Sequence, residues 1–126
     1  MTNKIRVVLA DDHPLFREGV ARTLMADPEF DIVGEGASAQ EAVKLATDLL
    51  PDIIMLDISM PGSGIEAAKQ VASVCPVVKI VMLTVSEHDD DVLSALQAGA
   101  RGYILKGIGG EDLISIVKSV HQGDSY

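Results

Sequence analysis

Cysteine is nearly absent: Cys75 stands alone, so no disulfide can form within the chain, and cysteine usage leaves the redox compartment open. It precedes Pro76 and reads as a small core or surface hydrophobe. Long apolar runs are missing too. Hydrophobic residues make up 48% of the sequence, yet no run approaches the ~20 residues of a membrane span. The opening MTNKIRVVLADD passes from a strand pattern straight to acid, without the apolar stretch and cleavage site of a signal peptide. A soluble, cytoplasmic protein with no membrane partner is expected. Basic charge is scarce as well: 10 Lys and Arg face 19 Asp and Glu, a net charge of −9, with no basic cluster to neutralise phosphates. Direct DNA binding by this chain is not expected. Repeats, linkers and low-complexity stretches are also missing, and 126 residues suit one domain with a real core.

What is present alternates. Short β-branched runs at Ile5–Ala10, Phe30–Gly36, Ile53–Leu56, Lys79–Thr84 and Gly102–Leu105 read as strands. Between them lie helical spacings. Phe16, Val20 and Leu24 follow Pro14, a favoured first-turn residue. Ser38 and Glu41 form a capping box before Ala42, Ala46 and Leu49. Ile65, Ala68 and Ala72 give a third apolar face, and Val92, Leu93 and Leu96 a fourth. Leu113, Val117 and Val120 give the last, which stops before Gly123. The acidic run Glu87-His88-Asp89-Asp90-Asp91 reads mostly as a solvated first helical turn, where negative charge suits the helix dipole.

Repeated strand–helix units with short connections require crossovers and give a parallel sheet covered on both faces. The first, third and fourth strands are almost wholly apolar, as central strands are. Asp31 and Gly102 mark the second and fifth as edges. The expected architecture is therefore α/β, a flavodoxin-like (βα)5 doubly wound parallel sheet of strand order 2-1-3-4-5, with its crevice beside strands one and three.

All the strands but one end in a residue able to handle a phosphoryl group. The first runs into Asp11 and Asp12, the third into Asp57, the fourth into Thr84 and the fifth into Lys106. Adjacent carboxylates repel and invite a cation. Magnesium suits them, because it takes oxygen ligands and one or two protein carboxylates. Asp57 closes a buried strand, where an unpartnered acid is costly, and its carboxylate can act as a nucleophile. Lys106 offers a compact charge with three donors, and Thr84 a hydroxyl. Together these groups describe a metal-assisted site in which an aspartate is phosphorylated.

Asp11-Asp12-His13-Pro14, Leu56-Asp57-Ile58-Ser59-Met60-Pro61-Gly62, Thr84 and Gly102-Tyr103-Ile104-Leu105-Lys106 together resemble the receiver domain of bacterial two-component response regulators. The match runs the length of the chain, so residues 1–126 are read as one receiver domain. The DDHP opening, GARGYILKG and the closing VHQGDSY look most like receivers that precede a LuxR-type helix-turn-helix. The resemblance implies that Asp57 accepts phosphate from a histidine kinase. It also implies that Mg2+ is held by Asp12, Asp57 and the backbone carbonyl of Ser59, with Asp11 acting largely through water. Thr84 and Tyr103 would be the switch pair, Thr84 and Lys106 serving the phosphoryl group. The expected output is homodimerisation, or release of a DNA-binding domain lying outside this chain. The chain would then be the N-terminal part of a longer transcription regulator, a regulatory switch rather than an enzyme.

Some features depart from that pattern. The loop after Met60-Pro61 holds only Gly62 and Ser63 before Gly64, one residue fewer than usual, and Gly107 stands where many receivers have proline. A stand-alone or phosphorylation-independent receiver acting as an interaction module is the alternative. A haloacid-type phosphatase would need Asp-x-Asp after one strand, and Ser59 stands two past Asp57. A flavin binder would need a hydroxyl- and glycine-rich loop where Asp11-Asp12 stands. His13 reads as a polar loop residue, because magnesium disfavours imidazole. His88 and His121 read as solvent-facing.

Overall fold

The computed structural model describes residues 4–85 and 89–123. Strands β1 (Ile5–Ala10), β2 (Phe30–Gly36), β3 (Ile53–Asp57), β4 (Lys79–Thr84) and β5 (Gly102–Leu105) alternate with helices α1 (Pro14–Met25), α2 (Ala39–Leu49), α3 (Gly64–Val74), α4 (Asp89–Gln97) and α5 (Gly110–His121). The sheet is parallel, in the order β2-β1-β3-β4-β5. Both expected edges are edges.

The pleat sorts the central strands into two cores. Val8, Ala10, Ile54, Leu56, Ile80 and Met82 face α2, α3 and α4, and all are buried. Val7, Leu9, Ile53, Met55, Val81 and Leu83 point the other way, against α1 and α5. Strands buried on both faces must be apolar throughout, which is why they read as unbroken runs. Their burial contributes about 1.5–3 kcal/mol for each large side chain, enough to carry a few costly polar groups at the carboxyl edge. Cys75 belongs to the first core.

Local signals are largely obeyed. Ser38 Oγ accepts from Glu41 N–H at 3.2 Å, and the return bond reaches Ala37 N–H rather than that of Ser38. The apolar face assigned to α4 is corrected: Leu93 and Leu96 are exposed, Val92 is half-buried, and Ala95 makes the buried contact. On α3, Ala67 and Val71 join Ala68 in the core, leaving Ile65 and Ala72 half-buried. His121 is half-buried, and Lys79 Nζ donates to its carbonyl, so it is not simply solvent-facing. Asp89 to Asp91 open α4, while Glu87 and His88 lie outside the described residues.

The shortened loop closes at a conformational cost. Met60 is buried, Ser63 N–H donates to Met60 O at 2.9 Å, and Gly64 N–H donates to Ile58 O at 2.9 Å. Ser63 holds φ +75°, while its hydroxyl caps α3 by accepting from Glu66 N–H.

Candidate functional site

The carboxyl ends of β1, β3, β4 and β5 place the sequence-predicted groups at one edge of the sheet. Asp11 follows β1, is fully buried, and is pinned by its own N–H donating to Gly36 O at 2.9 Å. Asp57 ends β3 and is 1% exposed. Lys106 reaches back from the end of β5, its Nζ 2.8 Å from Asp11 Oδ2 and 3.3 Å from Asp57 Oδ1. Its ammonium also lies 4.7 Å from the centre of the Phe16 ring, a cation–π contact worth roughly 0.5–2 kcal/mol.

Burial pushes the Asp57 carboxyl above its ordinary range, and the Asp11 charge and a hydrogen bond with Asp12 push the same way; Lys106 opposes them. Ser59 aims its hydroxyl at Asp57, 3.3 Å from Oδ1. Thr84, buried at the end of β4, is hydrogen-bonded to the half-buried Tyr103 phenol. Burial raises the Tyr103 pKa, against the effect of that bond.

Two residues make contacts at the pocket beyond the roles expected of them. His13 is the polar loop residue expected, and its backbone N–H donates to Asp11 Oδ1 at 2.8 Å while its ring Nδ1 lies 2.9 Å from the same oxygen and 3.1 Å from Lys106 Nζ. Arg17, on the first turns of α1, donates from Nη1 to the backbone carbonyl of Asp11 at 2.7 Å. The first had a signal in the sequence, its place beside two acids. The second had none.

Asp11, Asp12, His13 and Asp57 can each offer a ligand atom within 4.8 Å of the others. Asp12 Oδ1 is buried and accepts no hydrogen bond among the described residues. Crowded carboxylates with an unsatisfied buried oxygen fit an oxygen-seeking dication.

A family model described as "response regulator receiver domain" matches residues 7–118. The chain belongs to that family. It is 42% identical over 125 residues to transcriptional regulatory protein DegU of Brevibacillus brevis, covering 98% of this chain and 53% of the relative. Nitrate/nitrite response regulator protein NarL of Escherichia coli K12 is 39% identical over 117 residues, covering 92% and 53%. The receiver therefore spans about half the length of these relatives. Among solved structures, the signal receiver domain of the putative response regulator NarL from Mycobacterium tuberculosis superposes with a TM-score of 0.93 at 36% identity, covering 96% of this chain and 98% of that one. A two-component response regulator of the LuxR family from Aurantimonas gives 0.92 at 32%, covering 98% and 89%. Receivers of this type are regulatory switches working with histidine kinases. Among the described residues, no helix is long and apolar enough to cross a membrane.

Proposed function

We propose that Asp57 accepts a phosphoryl group from a phosphohistidine of a histidine kinase. An Asp57 carboxylate oxygen attacks phosphorus, the phosphorus–nitrogen bond breaks, and the imidazole leaves, producing an acyl phosphate. The observation that carries this reading is the pairing of a buried strand-end carboxylate with a nearly buried lysine, 3.3 Å apart, beside two further carboxylates. Burying a carboxylate is costly without a partner, and groups perturbed in this way cluster at functional sites.

Asp12, Asp57 and the Ser59 carbonyl would hold Mg2+, with Asp11 acting through water; bound there, the ion offsets charge on the phosphoryl oxygens and helps align the transfer. Lys106 supplies the fixed positive charge that remains once Asp57 is phosphorylated. Thr84 supplies a hydroxyl to a phosphoryl oxygen, and Tyr103, already bonded to it, follows. A new anion thereby biases an element with two packings. A full switch from about 1:99 to 99:1 needs roughly 5.5 kcal/mol of differential stabilisation. The output is homodimerisation, or release of a DNA-binding domain beyond these residues in a longer regulator. The half-length coverage of the relatives supports that arrangement.

Incubation with a small phosphodonor, with and without Mg2+, followed by intact mass, tests the reading. One metal-dependent phosphoryl addition is expected, absent in Asp57→Ala. Addition that survives Asp57→Ala refutes the assignment of Asp57. No addition at all turns the reading to the phosphorylation-independent interaction module.

A further inference from the structure

Asp57 is 1% exposed, yet the phosphorus of a donor must come within about 3–3.5 Å of one of its oxygens before it can react. Lys106 claims Oδ1 at 3.3 Å, which leaves Oδ2 as the attacking oxygen. Ser59 Oγ lies 3.4 Å from Oδ2 and His13 Nδ1 3.7 Å, so the imidazole stands at the distance that phosphorus must reach. Ser59 is short and grows from the loop behind Asp57. The His13 side chain is a ring, 59% exposed, with the carboxylate on one side and solvent on the other.

The His13 backbone is fixed while its ring is not. Its N–H donates to Asp11 Oδ1 at 2.8 Å, its carbonyl accepts from Arg17 N–H at 2.9 Å, and Pro14 follows. The ring makes no cap bond to α1 and is held by its inward edge, with Nδ1 2.9 Å from Asp11 Oδ1 and 3.1 Å from Lys106 Nζ. Polar contacts of so exposed a side chain are weak, and exposed side chains change rotamer within nanoseconds. Lys106 does not depend on them. Asp11 Oδ2 at 2.8 Å and the Phe16 ring at 4.7 Å keep the ammonium in place when the imidazole leaves.

We propose that His13 is a movable cover on Asp57. Turned inward, the ring closes the way to Oδ2; turned outward about its side-chain bonds, it admits a phosphorus to that oxygen. The proposal rests on Asp57 being the phosphoacceptor and makes His13 a positioning residue, with no part in bond making. A docked kinase can move the ring through its own contacts, whereas a small free donor must wait for the open rotamer. The cover therefore selects the kinase over small phosphodonors.

Two readings on wild type, His13→Ala and His13→Asn test this. The first is labelling of Asp57 in the metal-free chain by a water-soluble carbodiimide and glycinamide, followed by peptide mass. The second is the rate of phosphoryl addition from acetyl phosphate at saturating Mg2+. A cover open a tenth of the time lowers the apparent donor affinity about tenfold, so His13→Ala should need roughly tenfold less acetyl phosphate for half-maximal rate. Its maximal rate should stay near wild type, and its labelling should quicken by a similar factor. His13→Asn keeps a polar atom near the place of Nδ1 without the outer ring, and should lie between the two. If wild type is phosphorylated, either reading left unchanged in His13→Ala overturns the cover. So does an effect confined to the Mg2+ concentration that addition requires, which would assign the ring to the cation. If no chain is ever phosphorylated, faster labelling of His13→Ala upholds the cover and sinks the phosphoryl reading alone, while unchanged labelling sinks both.

Discussion

Arg17 Nη1 donates to the backbone carbonyl of Asp11 across 2.7 Å, so the guanidinium of α1 grips the peptide that joins the two acids of the pocket. The same side chain lies 3.3 Å from Glu35 at the end of β2 and is 22% exposed. Arg17 is a positioning residue: it touches the main chain that aims Asp12, not the reacting atoms. Arg17→Ala removes a charged donor worth about 1.5–3 kcal/mol. Part of that loss should appear as metal affinity. The Mg2+ concentration giving half-maximal phosphoryl addition should rise roughly 3- to 10-fold, where tenfold corresponds to about 1.4 kcal/mol, while the rate at saturating Mg2+ changes less. Arg17→Lys should recover only part, because lysine lacks the planar fork. An equal fall at all Mg2+ concentrations would mean that Arg17 supports the fold alone.

Asp57 gives a pH prediction with a definite sign. Its carboxyl is raised first by burial and then by Asp11 and Asp12. The folded chain therefore binds this proton more tightly than the unfolded chain, whose value is near ~3.9. In metal-free protein, stability contributed by this group is greatest below that value and is lost as pH rises through the raised one. Asp57→Asn should consequently melt higher than wild type at pH 7, with the gain fading as pH falls toward about 4. Each 1 kcal/mol relieved corresponds to roughly 3–5 °C for a chain of this length. Mg2+ should narrow the gap by stabilising wild type. A variant melting at or below wild type at pH 7 would contradict the raised carboxyl.

Phe16 lies beneath the ammonium that serves both carboxylates. Phe16→Leu keeps apolar volume but removes the ring face 4.7 Å from Lys106. The volume change should cost less than about 1.5 kcal/mol of stability. Losing a contact of about 0.5–1 kcal/mol at Lys106 should slow phosphoryl addition some two- to five-fold. Stopped-flow rates with a small phosphodonor, beside melting curves, separate the two effects. An unchanged rate would show that Lys106 is held by Asp11 and Asp57 alone.

The fold was legible because each central strand is apolar on both faces and ends abruptly in its functional residue. Asp11, Asp57, Thr84 and Lys106 were visible for the same reason: a polar group directly after a buried strand stands at the carboxyl edge. His13 is the polar loop residue its place beside two acids implies, but spacing does not reveal which way a ring turns, so its inward Nδ1 was not legible. Arg17 left no trace, since a helix periodicity does not tell which backbone carbonyl a long side chain will reach. Leu93 and Leu96 misled because apolar spacing was equated with burial, whereas α4 rests on Ala95. Capping was read correctly at Ser38, where the hydroxyl has one nearby donor to serve.

The loop behind Asp57 carries the sharpest stability test, because two adjacent residues should respond in opposite directions. Ser63 sits at φ +75°, a conformation that costs a residue with a Cβ on the order of 1–3 kcal/mol. Its hydroxyl repays some of that by capping α3 through a long 3.3 Å bond to Glu66 N–H. Exchanging a serine cap for glycine costs only a few tenths of a kcal/mol, roughly 0.3. Ser63→Gly should therefore gain about 1 kcal/mol, the strain relief outweighing the weaker cap. Gly64 is the reverse case. A Cβ there would run into the carbonyl oxygen of Asp57 and stand 2.8 Å from Ile58 Cα, both backbone atoms. The chain can admit it only by moving the peptide that aims Asp57, so Gly64→Ala should lose about 3 kcal/mol and most phosphoryl addition. Gly107→Ala, with open space around it, is the control and should stay within about 0.5 kcal/mol of wild type. Urea unfolding of the three variants reads all of these values. A Ser63→Gly chain less stable than wild type would place the cap above the strain and reverse the account of this loop.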